Sequence, residues 1–73
     1  MELTFGKVLG DAESKYQRKK KVYGESWKEM SVDDLFFRLL DEELEFVRAK
    51  ETKYDEAIDI INIACMLAEK VRR

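Results

Sequence analysis

The sequence predicts an all-α chain: an antiparallel helical hairpin preceded by an N-terminal helical segment, assembling into a four-helix-bundle-like homo-oligomer. Two observations predict the helices. Apolar residues from Leu35 to Val71 recur at three- and four-residue spacings rather than in alternation. Two S/T-x-x-D signals, Ser31 to Asp34 and Thr52 to Asp55, mark where helices would begin. Length predicts the assembly, because 73 residues have a high surface-to-volume ratio and one core gives only marginal stability. Cys65 is the only cysteine, so no internal disulfide can help and packing between subunits is the remaining remedy.

One domain is expected over 1–73, with a basic segment and connector at 1–30 and an acidic hairpin at 31–73. The first segment runs from about Leu3 to Val22. "LTFGKVLG" contains two glycines and reads as a loop or a short extended piece, with a polar helix following from about Asp11. The basic run Arg18 to Lys21 suits the negative end of a helix dipole, and Gly24 is the expected stop. "YGESWKEM" is a connector. Ser31 then caps the second helix, with Asp34 returning the hydrogen bond, and Leu35, Phe36, Leu39, Leu40, Phe46 and Val47 supply its apolar face. "AKET" interrupts. The third helix carries apolar residues nearly all round, from Ala57 and Ile58 to Val71, and should be buried on more than one side. Cys65 lies in "INIACMLA" with no histidine in the chain to act as its base, so it reads as a small buried core residue.

Charge is divided unevenly along the chain. Residues 1–28 carry seven Lys/Arg and four Asp/Glu, whereas residues 29–73 carry seven and twelve. A basic segment beside an acidic one can be mere surface decoration, and it is also what a site for a metal and a polyphosphate would require. High charge content, at 41%, leans toward a thermophilic source. No signal peptide and no apolar run of membrane-spanning length is visible, so a cytoplasmic protein without a membrane partner is expected.

The stretch "DEELEFVRAKETKYDEAIDI" holds eight acids in twenty residues, inside the most apolar half of the chain. On a helix, positions three apart share a face. Glu42 with Glu45, and Glu56 with Asp59, are such pairs. Leu35, Leu39 and Phe46 flank Glu42, and Glu43 falls nearer the middle of the stripe, where a partner subunit would have to meet it. Ile58 and Ile60 flank Asp59, so at least one acid turns toward protein. Buried carboxylates need neutralising. Arg38, Arg48, Lys50 or Lys53 could do this on a solvated surface, or a divalent cation could. Two such pairs on antiparallel helices can converge to supply four carboxylates. Without histidine the set suits neither zinc nor a Glu-x-x-His di-iron centre. It suits Mg²⁺, with Mn²⁺ as the second choice.

"DEELE" followed by "EAIDIIN" resembles the two-part signature of the MazG-like all-α nucleoside triphosphate pyrophosphohydrolases, E-E-x-x-E on one helix and E-x-x-D on the next. "VYGESWKEM" is similar to a K-Y-G-x-S-W segment upstream in small phage and archaeal relatives. The resemblance covers about residues 21–71. Asp41 stands for the first Glu, the ten residues between Glu45 and Glu56 are slightly fewer than usual, and the chain is shorter than most relatives. The resemblance implies that Glu42, Glu45, Glu56 and Asp59 bind Mg²⁺, which holds a nucleoside triphosphate and polarises the attacking water. Asp41, with Glu42 and Glu45, would serve catalysis by orienting or deprotonating that water. Lys19, Lys20, Lys21 and Lys28 would meet phosphates, Tyr23 and Trp27 would stack on the base, and Asn62 fills a polar position one turn after Asp59. The products would be a nucleoside monophosphate and pyrophosphate, in a homodimer or homotetramer, with a housecleaning role in the nucleotide pool. The competing expectations are a non-catalytic helical interaction module or a degenerate nucleotide-binding relative. Nucleic-acid binding through "KYQRKKK" is disfavoured by the net charge of −2.

Overall fold

A computed structural model describes residues 4–72 and is all-helical over its regular elements. Helix α1 spans Gly6–Tyr23, a 3₁₀ turn spans Ser26–Glu29, α2 spans Val32–Arg48 and α3 spans Lys53–Val71. The connector thus contains a helical turn of its own. Leu3 lies outside the described residues.

Helix α1 begins five residues earlier than the glycines suggested. Its opening bond runs from the Leu9 N–H to the Phe5 carbonyl at 2.9 Å, and Gly10 is carried inside the helix. A single interior glycine costs roughly 1 kcal/mol against alanine, which the remaining turns of α1 offset. The helix stops where expected. Gly24 turns the chain at φ 72° while its N–H still reaches the Lys20 carbonyl at 2.9 Å, a conformation that favours glycine. Lys20 and Lys21 occupy the last turn, facing the negative end of the dipole.

Ser31 caps α2 through its Oγ, which accepts from the Asp34 N–H at 3.0 Å. Thr52 holds the equivalent place before α3, but its side chain makes no capping bond. Lys53 provides the other fastening at this junction. Its Nζ donates to the Phe46 carbonyl at 2.7 Å, closing the C-terminal end of α2, and lies 4.6 Å from the Phe46 ring centre.

Helix α3 is the shared element, packing against α2 along one side and α1 along another. With four residues between them, α2 and α3 fold back antiparallel. The core is small: among the described residues Ala12, Leu35, Ile58 and Ile63 are the buried apolar ones, one from α1, one from α2 and two from α3. Asn62 fastens α3 to α1 by donating from Nδ2 to the Ala12 carbonyl at 3.0 Å, and Tyr54 does so through Asp11 at 2.5 Å.

Three sequence expectations about burial are corrected. The stripe that α2 turns to α3 runs Leu35, Leu39, Glu42, Phe46, a 4-3-4 spacing, whereas Phe36, Leu40 and Val47 are exposed. Glu43, about 100° round from Glu42, is exposed as well rather than central to the stripe. Cys65 is exposed, as are Ala64, Ala68 and Val71, because α1 and α2 together cover only part of the apolar circumference of α3. Among the described residues no helix is long and apolar enough to cross a membrane.

Candidate functional site

The antiparallel register of the hairpin brings the two carboxylate pairs together. Glu42 on α2 comes level with Asp59 on α3, and Glu45 with Glu56, each near enough to influence the other's ionisation. One carboxylate oxygen from each of Glu42, Glu56 and Asp59 lies within 4.8 Å of the others, and all three residues are half-buried. Glu45 is more exposed, and its charge acts on both Glu42 and Glu56.

This crowding shifts the acids. Burial pushes the Glu42 carboxyl above its ordinary value, reinforced by the charges of Glu45 and Asp59 and eased by Lys19. Burial also raises Glu56, again with help from Glu45 and Asp59, and Lys15 moderates it. The Oε2 atoms of Glu42 and Glu56 are buried and have no hydrogen-bond partner. Two carboxylate oxygens of the cluster are therefore buried without a donor.

Asp59 is the member with cationic partners. Lys15 reaches it at 2.9 Å and Lys19 at 3.2 Å, both from α1. The sequence offered Arg38, Arg48, Lys50 and Lys53 as neutralisers, all within the hairpin or its turn. The cations that pair with this cluster instead come from the segment read as a separate basic helix. A spacing of four puts Lys15 and Lys19 on one face of α1, directed at α3.

A cleft of about 420 Å³ opens beside the acids. Glu42 and Asp59 form part of its wall, with Asn62, Ile63 and Met66 continuing along α3. Helix α1 contributes Tyr16, Lys19, Lys20 and Tyr23, and Arg38 projects from α2. Trp27 closes one side, held by a bond from its Nε1 to the Tyr16 hydroxyl at 2.9 Å. The Tyr16 hydroxyl in turn donates to Glu25. That bond, followed by the one from Lys28, holds the Glu25 carboxyl below its ordinary value. Lys20 and Lys28 approach Glu25 at 3.6 and 3.2 Å. The cleft thus combines two acids with lysines, an arginine and three aromatic rings.

Of the residues expected to contact substrate, Tyr23, Trp27 and Asn62 line the cleft, together with Lys19 and Lys20. Asn62 also ties α1 to α3, so it has a structural task there. Lys21 does not line the cleft; Lys28 stands behind Trp27, 5.8 Å from its ring centre. Asp41 is exposed and about 100° round α2 from Glu42, away from the acidic cluster. Tyr16 is a cleft residue that motif reading passed over, and Arg38, expected as a neutraliser of the acids, lines the cleft as well. The signal for Tyr16 was present, since Tyr16, Lys19, Lys20 and Tyr23 fall at i, i+3, i+4 and i+7. Comparison of the chain with family models, with curated proteins and with solved structures finds no match.

Proposed function

We propose that this chain is a Mg²⁺-dependent nucleoside triphosphate pyrophosphohydrolase of the MazG-like kind, acting as a homo-oligomer in the cytoplasm. The observation that carries the reading is the carboxylate cluster with two buried, donorless oxygens, two of whose members, Glu42 and Asp59, line a cleft shared with lysines, an arginine and aromatic rings. The donor set fits the ion. Magnesium takes hard oxygen ligands at about 2.1 Å, so opposite ligands stand about 4.2 Å apart, and oxygens within 4.8 Å need only a small side-chain adjustment. Mn²⁺ accepts the same ligands.

In this reading Glu42, Glu56 and Asp59 hold the ion, with Glu45 at the lip as a fourth ligand. The ion supplies charge neutralisation for the triphosphate and lowers the pKa of a bound water. Lys19, Lys20 and Arg38 meet the phosphates, and Tyr23 or Trp27 stacks against the base. Water adds to the α-phosphorus, the bond to the bridging oxygen breaks, and the products are nucleoside monophosphate and pyrophosphate. A base must take the proton of that water. Glu45 is the more accessible acid beside the cluster, and Asp41 would need to act from another face of α2.

One observation favours the competing reading of a non-catalytic helical module. Lys15 and Lys19 already engage Asp59, as they would in a purely structural network. The two readings separate in one experiment. A panel of nucleoside triphosphates is incubated with the protein and Mg²⁺, and pyrophosphate release is followed beside thermal stability. Release is expected, together with a rise in Tm on adding Mg²⁺ or Mn²⁺. Glu42→Gln and Asp59→Asn should each lower the rate by about 100-fold or more while the helical circular dichroism is unchanged. Neither release nor a metal-dependent Tm would leave the structural module standing.

A further inference from the structure

The outward face of α2 is a second apolar seam. Phe37, Leu40, Leu44 and Val47 follow the 3-4-3 spacing of a coiled-coil stripe, and lie on the side of the helix opposite Leu35 and Phe46. In the protomer they are exposed by 61%, 39%, 50% and 71%. A helix with a single packing partner has no need of two stripes. The surface area agrees. The chain exposes 5954 Å², whereas a compact monomer of 8.7 kDa exposes about 4,700 Å². The excess of about 1,200 Å² is spread over all the exposed apolar side chains, Phe5, Val22, Tyr23 and Val71 included, and leaves room for the roughly 800 Å² that each partner of a standard interface contributes.

We infer that this stripe is the seam of a two-fold homodimer in which α2 packs antiparallel against α2 of a second copy. The charges at its ends choose the direction. Asp33 and Asp34 occupy the first turn and Arg48 the last. Antiparallel packing brings each acidic end to the other copy's Arg48 and opposes the two helix dipoles favourably; parallel packing would align like with like. A register that pairs Asp33 with Arg48 also sets Phe37 against the second copy's Leu44 and brings both Leu40 side chains near the two-fold axis. This inference rests on the self-association in the reading above and is independent of its chemistry. The seam lies across α2 from the acidic cluster.

Sedimentation equilibrium of the full chain tests it. The wild type is expected to be dimeric at micromolar concentration. Leu44→Arg removes an exposed side chain, so helicity should persist while the dimer weakens on the order of 30-fold or more. Arg48→Glu should weaken it less, and Asp33→Arg combined with Arg48→Glu should restore it, which a parallel pair would not do. A wild-type monomer at all concentrations would overturn self-association and the seam together. A wild-type dimer indifferent to Leu44→Arg would overturn the seam alone, whereas a monomer that co-sediments with phosphatidylcholine vesicles would overturn both and assign the stripe to a lipid surface. Pyrophosphate release is scored separately, so its failure does not bear on these outcomes.

Discussion

Glu42 and Glu56 are held above the ordinary carboxylate value by burial and by neighbouring acids, so the fold binds their protons more tightly than the unfolded chain does. Their contribution to stability is therefore complete below the ordinary carboxylate range and is lost as pH rises through the raised values. Glu25 has the opposite sign. Its value is lowered by bonds from Tyr16 and Lys28, so its contribution is present above the ordinary range and disappears as pH falls through the lowered one. In metal-free buffer, Tm should fall as pH is raised from mildly acidic to neutral, and Glu25→Gln should leave that fall in place. Glu42→Gln should flatten it. This substitution should raise the neutral-pH Tm by about 3 °C, a modest figure because solvent reaches the side chain. Thermal melts in chelator across that pH range check all three expectations. A metal-induced rise in Tm should be largest at neutral pH, where both carboxyls are ionised, and should vanish in acid. Here the individual residue explains an apparent contradiction: carboxylates that weaken the metal-free fold are those a cation would stabilise most.

The helices differ in how their ends are secured, and that difference is measurable. Ser31→Ala should cost about 1 kcal/mol, because the Oγ bond to the Asp34 N–H is lost. Thr52→Ala should change almost nothing, because Thr52 caps by position and not by its side chain. The glycines form a second contrast. Gly24→Ala places a Cβ at φ 72° and should destabilise by about 1 kcal/mol. Gly10→Ala fills open space in the interior of a helix and should stabilise by roughly 0.5–1 kcal/mol. Chemical denaturation of the four variants gives these signs directly. The same comparison explains what was legible in the sequence. Periodicity and the S-x-x-D signal located α2 and α3, and a basic end followed by glycine located the stop of α1, since those features act through local backbone chemistry. The start of α1 was misplaced, because a turn-forming residue is weak evidence once the surrounding turns favour a helix. The convergence of Glu42 on Asp59 was legible from spacing and antiparallel folding. That Lys15 and Lys19 would complete the cluster was not, since the docking angle of α1 on α3 is written in no local pattern.

At the scale of the whole molecule, folding joins the basic and acidic halves of the chain, and it does so around a small interior. Four buried apolar residues among those described are few, and of the two ion pairs on Asp59 the one to Lys19 is too exposed at its lysine end to add much, while the one to Lys15 is largely shielded. The greater part of the apolar surface on α2 lies outside this core. If the outward stripe of α2 is the dimer seam, the stability of each protomer is coupled to association, and the melting temperature must depend on protein concentration. The size of the dependence can be stated. A tenfold rise in concentration adds about 1.4 kcal/mol per dimer, or about 0.7 kcal/mol per chain. With the unfolding entropy usual for a chain of this length, that corresponds to about 4 °C. The wild type should therefore gain about 4 °C for each tenfold increase, measured in low-salt buffer without divalent cations so that metal binding does not contribute. Leu44→Arg should melt at a lower temperature and show no concentration dependence, because it unfolds as a monomer. Glu42→Gln, which alters the cluster and leaves the seam intact, should keep the slope of the wild type while its absolute Tm shifts. A concentration-independent wild-type melt would separate folding from association and leave the α2 stripe without its second copy.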